Sequence, residues 1–521
     1  MNLVSLLVDR ARMHPERPAL VDRRHGVDRA ISYGELARRV AAGAGRLQEM
    51  GLKRGQVVLV FQPVSIELYE FLLAAFYLGL QVMLADPSAG KKFLSLCCKR
   101  LKPDAFFGSW KAQCLRLMVP ELRGISLAIC SGWFPAAIRW NTDGEAVPFA
   151  EMIDENAALV TFTSGSTGVP KAAVRSHGFL CAQHQVLAKS LEFEEGEVDL
   201  ITLPVFVLAN LASGLTSVLA AMDFAKPGAP DAAAISRQCR DFNVTRCAAS
   251  PAFFEGLLAG GMPDFRKIYT GGAPVFPDLL RCLRIALPSA TIHSVYGSTE
   301  AEPIAHFRAD QVSGEVDAMT RCGGGLCAGI PVPEICLRIV RDQWGIPLSA
   351  ADLIFLPTGE AGEILVSGGH VLRGYLGGLG DEETKICDGE QVWHRTGDAG
   401  WVDAEGRLWL LGRCAEKMSV FLAGERLPVD ALRYPFAVEC ALREIFPSIR
   451  TAALDWQGDR TLMVGKKCDS REARAIKRDA EKFGIRCVVF LDSLPLDRRH
   501  HAKIDYPALR EIMQKRSLVA Q

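Results

Sequence analysis

The sequence has no excess of charge of either sign, since 60 Lys and Arg residues balance 60 Asp and Glu. Chains that track nucleic acid or an anionic membrane surface concentrate basic residues. The balance excludes those as the main partner and points to a small-molecule ligand. Regular cysteine spacing is also missing. Of 16 cysteines, the only close pairs are Cys97 with Cys98 and Cys322 with Cys327. Neither has zinc-site spacing or a matching second half, so the cysteines read as mostly reduced core thiols of a cytoplasmic protein. No repeat, low-complexity tract or heptad pattern occurs, which removes repeat arrays and coiled coils from consideration.

No export signal is expected either: the segment MNLVSLLVDRARMHPERPAL has an apolar run cut by Asp9 and Arg10 and no basic segment before it. One uncharged stretch, Ile201 to Met222, is long enough to span a bilayer. Pro204, Asn210, Ser213, Gly214 and Thr216 interrupt it, and no Lys or Arg cluster anchors its ends. It reads as a buried strand and helix, and no membrane span is expected.

What is present is an alternation. At 521 residues the chain exceeds a single core, and ~100–200 residues per domain suggests roughly three or four compact units. Short β-rich runs alternate with helical patterns, as in QVVLVF (56–61), ELYEFLLAAFYLGL (67–80) and QVMLA (81–85). This rhythm predicts α/β layers with parallel strands. From Gly362 the texture becomes strand-rich, and WHRTGDAGWVDAEGRLWLLGR predicts a hairpin about its DAEG turn. Beyond Arg413 the pattern predicts a helix near Asp430 to Phe446, a strand at 488–494 and a charged helical tail from Tyr506. The expected class is α/β. A large N-terminal domain, residues 1–413, has layered α/β subdomains and a strand-rich subdomain; a small α+β C-terminal domain spans 414–521.

Loops that follow strands are where α/β folds place ligands, and Val160 to Lys171 reads VTFTSGSTGVPK. A Walker-type loop needs four residues between its glycines and then Gly-Lys-Ser/Thr, which Pro170-Lys171-Ala172 does not supply. The chemistry still suits an oxyanion. Gly165 and Gly168 let backbone N–H groups approach, the hydroxyls of Thr163, Ser164, Ser166 and Thr167 can donate, and Lys171 adds a point charge. A Ser/Gly surface linker has similar composition, but the apolar strand before it and the Pro-Lys after it oppose that reading.

The loop resembles the phosphate-binding signature of the AMP-forming adenylating superfamily, which comprises acyl-CoA synthetases, peptide-synthetase adenylation domains and luciferases. Further landmarks follow in that family's order: YTGGAP (269–274), YGSTE (296–300), TGD (396–398), GR (412–413) and AKI (502–504). The resemblance covers the chain from near residue 30 to near 510. It implies ATP-dependent activation of a carboxylic acid as acyl-AMP with release of pyrophosphate, then acyl transfer to a thiol of CoA or a carrier protein. It implies ATP and Mg²⁺ as cofactors. Gly271, Gly272, Ala273 and Pro274 would form the adenine slot, and Tyr296, followed by Gly297, would stack on the base. Thr299 would bond the α-phosphate and Glu300 would hold Mg²⁺. Asp398 would grip both ribose hydroxyls, with Arg413 as a second ribose or phosphate contact. Lys503, on a mobile C-terminal domain, would neutralise the transition state as the carboxylate displaces pyrophosphate. Read without the resemblance, GGAP and YGSTE are tight turns, Asp398 stabilises a hairpin, and Lys503 is a solvated lysine beside the surface residues His500 and His501. The order of the landmarks favours the catalytic reading.

The chain also departs from the family. The hinge position two residues after Arg413 is Ala415, followed by Glu416, where an acidic residue or lysine is usual. Gly424 and Arg426 are kept, but the acidic pair that acyl-CoA synthetases carry a few residues beyond is missing. Both departures weigh against thioester formation more than against adenylation. YGSTEAEPIA and DRRHHAKID resemble the branch of bacterial β-lactone synthetases of olefin biosynthesis and related fatty-acyl ligases. There the hydroxyl of an adenylated 3-hydroxy acid closes on its own carbonyl and no thiol is needed; this is the alternative second step. Amino-acid-activating members carry an aspartate where LPVFVLAN has Val207. With Asn210 beside it, Val207 points to an apolar acid, fatty or 3-hydroxy fatty, although Phe206, Val207 and Leu208 also read as plain core. Two further readings are a nucleotide-binding protein without turnover, which would be expected to lose Lys503, Glu300 or Asp398, and a membrane-anchored or interaction protein using 201–222.

Overall fold

The computed structural model describes residues 2–86, 89–164, 169–419, 427–428, 430–447, 449–496 and 503–519. The chain divides into two compact units. The first comprises Met1–Ala221, Ala234–Cys247 and Gly369–Asp381, and the second Met222–Ala233, Ala248–Gly368 and Glu382–Gln521.

In the first unit the run VVLVF becomes the strand Val57–Phe61, buried along its whole length, as expected where a parallel sheet is covered on both faces. It is the central strand of seven, ordered Ile138–Arg139, Leu127–Cys130, Ala105–Gly108, Val57–Phe61, Gln81–Leu84, Ala157–Ser164 and Pro170–Ser176. All neighbours are parallel except the last pair. The helix Ile66–Leu78 starts where Ser65 accepts from the Leu68 N–H and stops at Gly79, whose φ is 80°. It is buried nearly all round, so its sequence is apolar rather than striped. Val57–Phe61 pairs with the next strand in sequence, Gln81–Leu84, on one side and with Ala105–Gly108 on the other. The chain thus leaves Val57–Phe61 and Ala105–Gly108 in opposite directions, and their carboxyl ends form a topological switch point.

The same unit holds Val198–Ile201, Thr216–Leu219 and Pro18–Arg24 as parallel neighbours, with Val27–Ser32 antiparallel to the last. The uncharged 201–222 stretch falls on the end of one strand, the helix Phe206–Ser213 and a second strand. Among the described residues no helix is long and apolar enough to cross a membrane.

In the second unit Lys267–Gly271 and Thr291–Ser298 pair in parallel. Antiparallel strands continue the order through Ala301–Arg308, Leu326–Pro331, Leu408–Arg413, Gln391–Val402, Gly362–Ser367 and Cys336–Val340. The expected DAEG hairpin is present, with Asp398 opposite Arg413. Stacked Trp401 and Trp409 and a buried Arg395–Glu363 pair at 2.7 Å brace it. Beyond residue 414 a three-stranded sheet, Thr451–Trp456, Asp459–Val464 and Cys487–Phe490, accompanies the helices Pro435–Ile445, Ser470–Glu481 and Tyr506–Val519. The helix expected from Asp430 begins only at Pro435, a residue suited to the first turn because it has no N–H to leave unpaired. The expected strand stops at Phe490, since Leu491 and Leu494 turn into the core beneath the last helix. All 16 cysteines are free thiols; nine are buried and five exposed, so the core-thiol expectation holds for most of them.

Candidate active site

Thr163 and Ser164 end the strand Ala157–Ser164, and Lys171 lies at the start of the return strand Pro170–Ser176, with Thr163 opposite Lys171 and Ser164 opposite Pro170. The strands on either side of the candidate phosphate loop are therefore antiparallel partners, where a Walker loop leads into a helix. This explains the missing Walker ending: after Lys171 the chain must continue a strand, and Ala172 and Ala173 are both fully buried. Gly165, Ser166, Thr167 and Gly168, and the side chains of Thr163 and Ser164, lie outside the described residues, as do His500, His501, Gly424 and Arg426.

Lys171 is buried, and its Nζ stands 5.8 Å from the ring centroid of Tyr375, at the outer edge of cation–π range. A Cβ added to Gly380, whose φ is 99°, would come within 2.6 Å of the Lys171 Cδ and Cε. The lysine stem passes against a bare Cα, which is why glycine stands there. Asp381 accepts from the Tyr375 N–H at 2.8 Å and closes this turn. Sequence reasoning missed Tyr375 and Gly380; the glycine-rich run GYLGGLG (374–380) was the available signal.

In the second unit, Gly271 closes the strand Lys267–Gly271, and a Cβ there would lie 2.6 Å from the Val295 carbonyl oxygen. Gly272 adopts φ 77° with open space around its Cα, and Ala273 and Pro274 follow half-buried. Tyr296 and Gly297 lie near the end of the neighbouring strand Thr291–Ser298. The Tyr296 hydroxyl donates to Asp398 Oδ2 at 2.7 Å. Arg413 lies 3.1 Å from Asp398 Oδ1 and donates to the Thr396 carbonyl at 3.2 Å. Thr396 Oγ1 in turn accepts from the Asp398 N–H and donates to the Ile364 carbonyl. The carboxylate is thus held at both oxygens, each with lone pairs to spare.

Burial and the Asp398 charge push the Tyr296 phenol well above its ordinary value, so it is a neutral donor at pH 7. Asp398, and more weakly Glu300, raise Arg413. Thr299 is exposed and Glu300 half-buried in the turn before Ala301–Arg308. No group of three or more His, Cys, Asp or Glu that could hold a metal occurs among the described residues. Mg²⁺ bound with a nucleotide takes one or two carboxylates plus phosphate oxygens, and Glu300 beside Thr299 fits that arrangement.

Lys503 is exposed, while the residues after it are anchored. Ile504 bridges Leu496 and packs with the core that contains Leu494 and Leu509. The Tyr506 hydroxyl donates to the Glu439 carboxylate, which also accepts from the Ala453 N–H at 2.9 Å. Burial pushes Glu439 up to about 7. Arg510 on the last helix pairs with Glu416, the residue after Ala415.

Val207 and Asn210 are both fully buried in the helix Phe206–Ser213. Asn210 Nδ2 donates to Asp199 Oδ2 at 2.9 Å and to Ser217 Oγ at 3.1 Å. A cavity of about 600 Å³ in the same unit is lined by Pro204, Val205 and Leu208, and not by Val207 or Asn210.

Layered α/β sheets, a buried lysine on the strand that returns from a Ser/Gly sequence, and a Tyr–Asp–Arg cluster beside a glycine turn define the class of adenylate-forming enzymes. Residues 7–376 match the family of AMP-binding enzymes, and the chain belongs to that family. The olefin beta-lactone synthetase of Stenotrophomonas maltophilia is 30% identical to it over 541 aligned residues, covering 96% of each chain. The indoleacetate–CoA ligase of Aromatoleum aromaticum is 28% identical and covers 95% of each. Among solved structures, the O-succinylbenzoate coenzyme A synthetase of Bacillus subtilis, in complex with ATP and magnesium ion, superimposes with a TM-score of 0.74 at 21% identity. That match spans 95% of this chain and 97% of that one. The chain is an AMP-forming ligase, and its reaction begins with activation of a carboxylic acid as acyl-AMP.

Proposed function

We propose that the acid is an apolar one, a fatty or 3-hydroxy fatty acid, and that its own 3-hydroxyl accepts the acyl group to close a β-lactone. The activation step rests on the Asp398 carboxylate held between Tyr296 and Arg413. The choice of acceptor is supported by end-to-end similarity to the olefin beta-lactone synthetase, together with Ala415 at the hinge position and the missing acidic pair. Residues 1–413 would bind ATP and acid, and residues 414–521 would carry Lys503 as a lid. The free thiols suit a reducing, cytoplasmic compartment.

In this reading Asp398 accepts both ribose hydroxyls and Arg413 keeps its carboxylate oriented. Tyr296 lies on the base over Gly271 to Pro274. Lys171 and the 163–168 loop hold the β- and γ-phosphates. Glu300 would hold Mg²⁺, which when bound would offset charge on the phosphates, and Thr299 would bond the α-phosphate. A carboxylate oxygen attacks the α-phosphorus, the bond to pyrophosphate breaks, and Lys503 neutralises the gathering charge. The 3-hydroxyl oxygen then attacks the acyl carbon, its proton passes to solvent, and AMP leaves.

The second reading, transfer to CoA or a carrier-protein thiol, is favoured by the similarity to a CoA ligase. Mass analysis of products from a 3-hydroxy fatty acid, ATP and Mg²⁺, with and without CoA, separates the two. A product lighter than the acid by one water, formed without thiol, upholds the lactone. A thioester formed only with CoA replaces it with the second reading. No AMP release across a broad acid panel sinks both.

A further inference from the structure

The cavity of about 600 Å³ lies wholly within the first unit. Its place in the fold is informative. Phe61 to Pro63 follow the strand Val57–Phe61, and Ser109, Lys111 and Ala112 follow Ala105–Gly108. It therefore opens at the topological switch point, where parallel α/β sheets bind ligands, and its size falls within the ~300–1,000 Å³ of ligand pockets.

The lining is overwhelmingly apolar, with Leu68, Leu72 and Phe76 from one helix and Pro204, Val205 and Leu208 completing it. Its polar groups are almost all engaged. The Tyr69 hydroxyl donates to the Pro204 carbonyl at 2.9 Å, and Ser109 Oγ accepts from the Ala112 N–H. Lys111 is exposed. The exception is Gln62: its Nε2 reaches Ser65 Oγ, but its buried Oε1 receives no donor from the protein. A buried acceptor without a donor is costly. The cavity therefore asks for a long apolar body carrying one hydroxyl. An engineered cavity of ~150 Å³ takes up one benzene, so a volume about four times larger has room for an alkyl chain on the order of twenty carbons.

Position agrees with chemistry. The strand Ala157–Ser164 lays Leu159 on the cavity and reaches the phosphate hairpin five residues later, about 17 Å at ~3.3 Å per residue. Val60 is level with Leu84 and Leu84 with Thr161, so Gln62 stands level with Thr163 two strands away, ~10 Å at ~4.8 Å per strand. A carboxylate and its 3-hydroxyl then sit together at the hairpin end of the cavity, and the tail runs back toward Leu159.

We infer that this switch-point cavity seats the alkyl chain of the acid, with Gln62 accepting from its hydroxyl. Chain-length preference is then set by Ala112, Leu72 and Leu208, while Val207 and Asn210 serve the core. The inference rests on the fatty-acid reading above and names where that substrate lies.

A long-chain alcohol has the tail and the donor but cannot be adenylated, so it tests binding without turnover. Titration of 1-dodecanol into the full-length protein by calorimetry should give saturable one-to-one binding. Ala112→Phe and Leu208→Phe, filling the cavity from different elements, should each weaken it at least tenfold with melting temperatures near wild type. In turnover each variant should lose at least tenfold in kcat/KM for a C16 acid while keeping that for a C8 acid. Gln62→Leu should weaken dodecanol binding severalfold. Absence of saturable binding to the wild type overturns the inference even if a variant fails to fold, and so do folded variants that bind as well as wild type. Alcohol binding without acid-dependent AMP release would uphold the cavity and sink the proposed function; the reverse outcome would sink only the cavity.

Discussion

Tyr296 and Asp398, 102 residues apart in sequence, share a 2.7 Å hydrogen bond, and at neutral pH its proton belongs to the phenol. Asp398→Ala removes the acceptor for Tyr296 and leaves Arg413 with only the Thr396 carbonyl. ATP–pyrophosphate exchange should fall by about 10²–10³-fold, the loss expected when one preorganised electrostatic contact is removed. Tyr296→Phe keeps the ring and loses only the hydrogen bond, so exchange should fall less than about tenfold, about 1 kcal/mol. Equal losses in the two variants would refute the ribose role of the carboxylate.

Lys503 is exposed and its neighbours downstream are anchored, so Lys503→Ala should change stability by no more than about 0.5 kcal/mol, the range of a surface substitution. If Lys503 acts as proposed, pyrophosphate exchange falls about 10²-fold or more, because the lost cation would stabilise charge that develops only in the transition state. A variant with wild-type exchange would remove Lys503 from the chemistry.

Gly380→Ala places a Cβ 2.6 Å from the stem of Lys171, at a backbone φ of 99°. Either the lysine moves or the turn does. We expect a loss of ~1–3 kcal/mol in stability from the strained conformation and about 10²-fold in exchange from a displaced cation. Chemical denaturation and exchange assays read the two effects separately.

Glu439 is buried and keeps its proton up to about pH 7, against an ordinary 4.5. Below 4.5 both folded and unfolded chains are protonated and its contribution is fully present. Between about 4.5 and 7 only the folded chain holds the proton, so stability falls as pH rises, by about 3 kcal/mol in all. Glu439→Gln, which keeps the acceptor for Tyr506, should flatten the stability of the full chain between pH 5 and 7.5 in urea titrations. An unchanged slope would show that Glu439 is not the titrating group.

Much of the architecture was legible because it is written locally. The run VVLVF can only be a covered strand, and the DAEG turn with its alternating flanks had to pair Asp398 near Arg413. The candidate site was legible one landmark at a time. What local pattern could not show was the company each residue keeps. Nothing in GYLGGLG states that Tyr375 and Gly380 lie against Lys171, because that contact joins positions about two hundred residues apart and depends on the backbone of both. The place of Val207 and Asn210 was not legible either: both are fully buried in the helix Phe206–Ser213, while Val205 and Leu208 line the cavity.

By itself the sequence determined the layered α/β class, the hairpin before Arg413, the absence of a Walker ending and the residue types offered to a nucleotide, because periodicity, turn chemistry and side-chain chemistry are local properties. Tertiary structure alone decided that the strands flanking the candidate phosphate loop pair with each other, that Asp398 is held by Tyr296, and that an apolar cavity opens between strands Val57–Phe61 and Ala105–Gly108. Those outcomes depend on strand order and on which helix face is buried, and burial is a property of the packed whole.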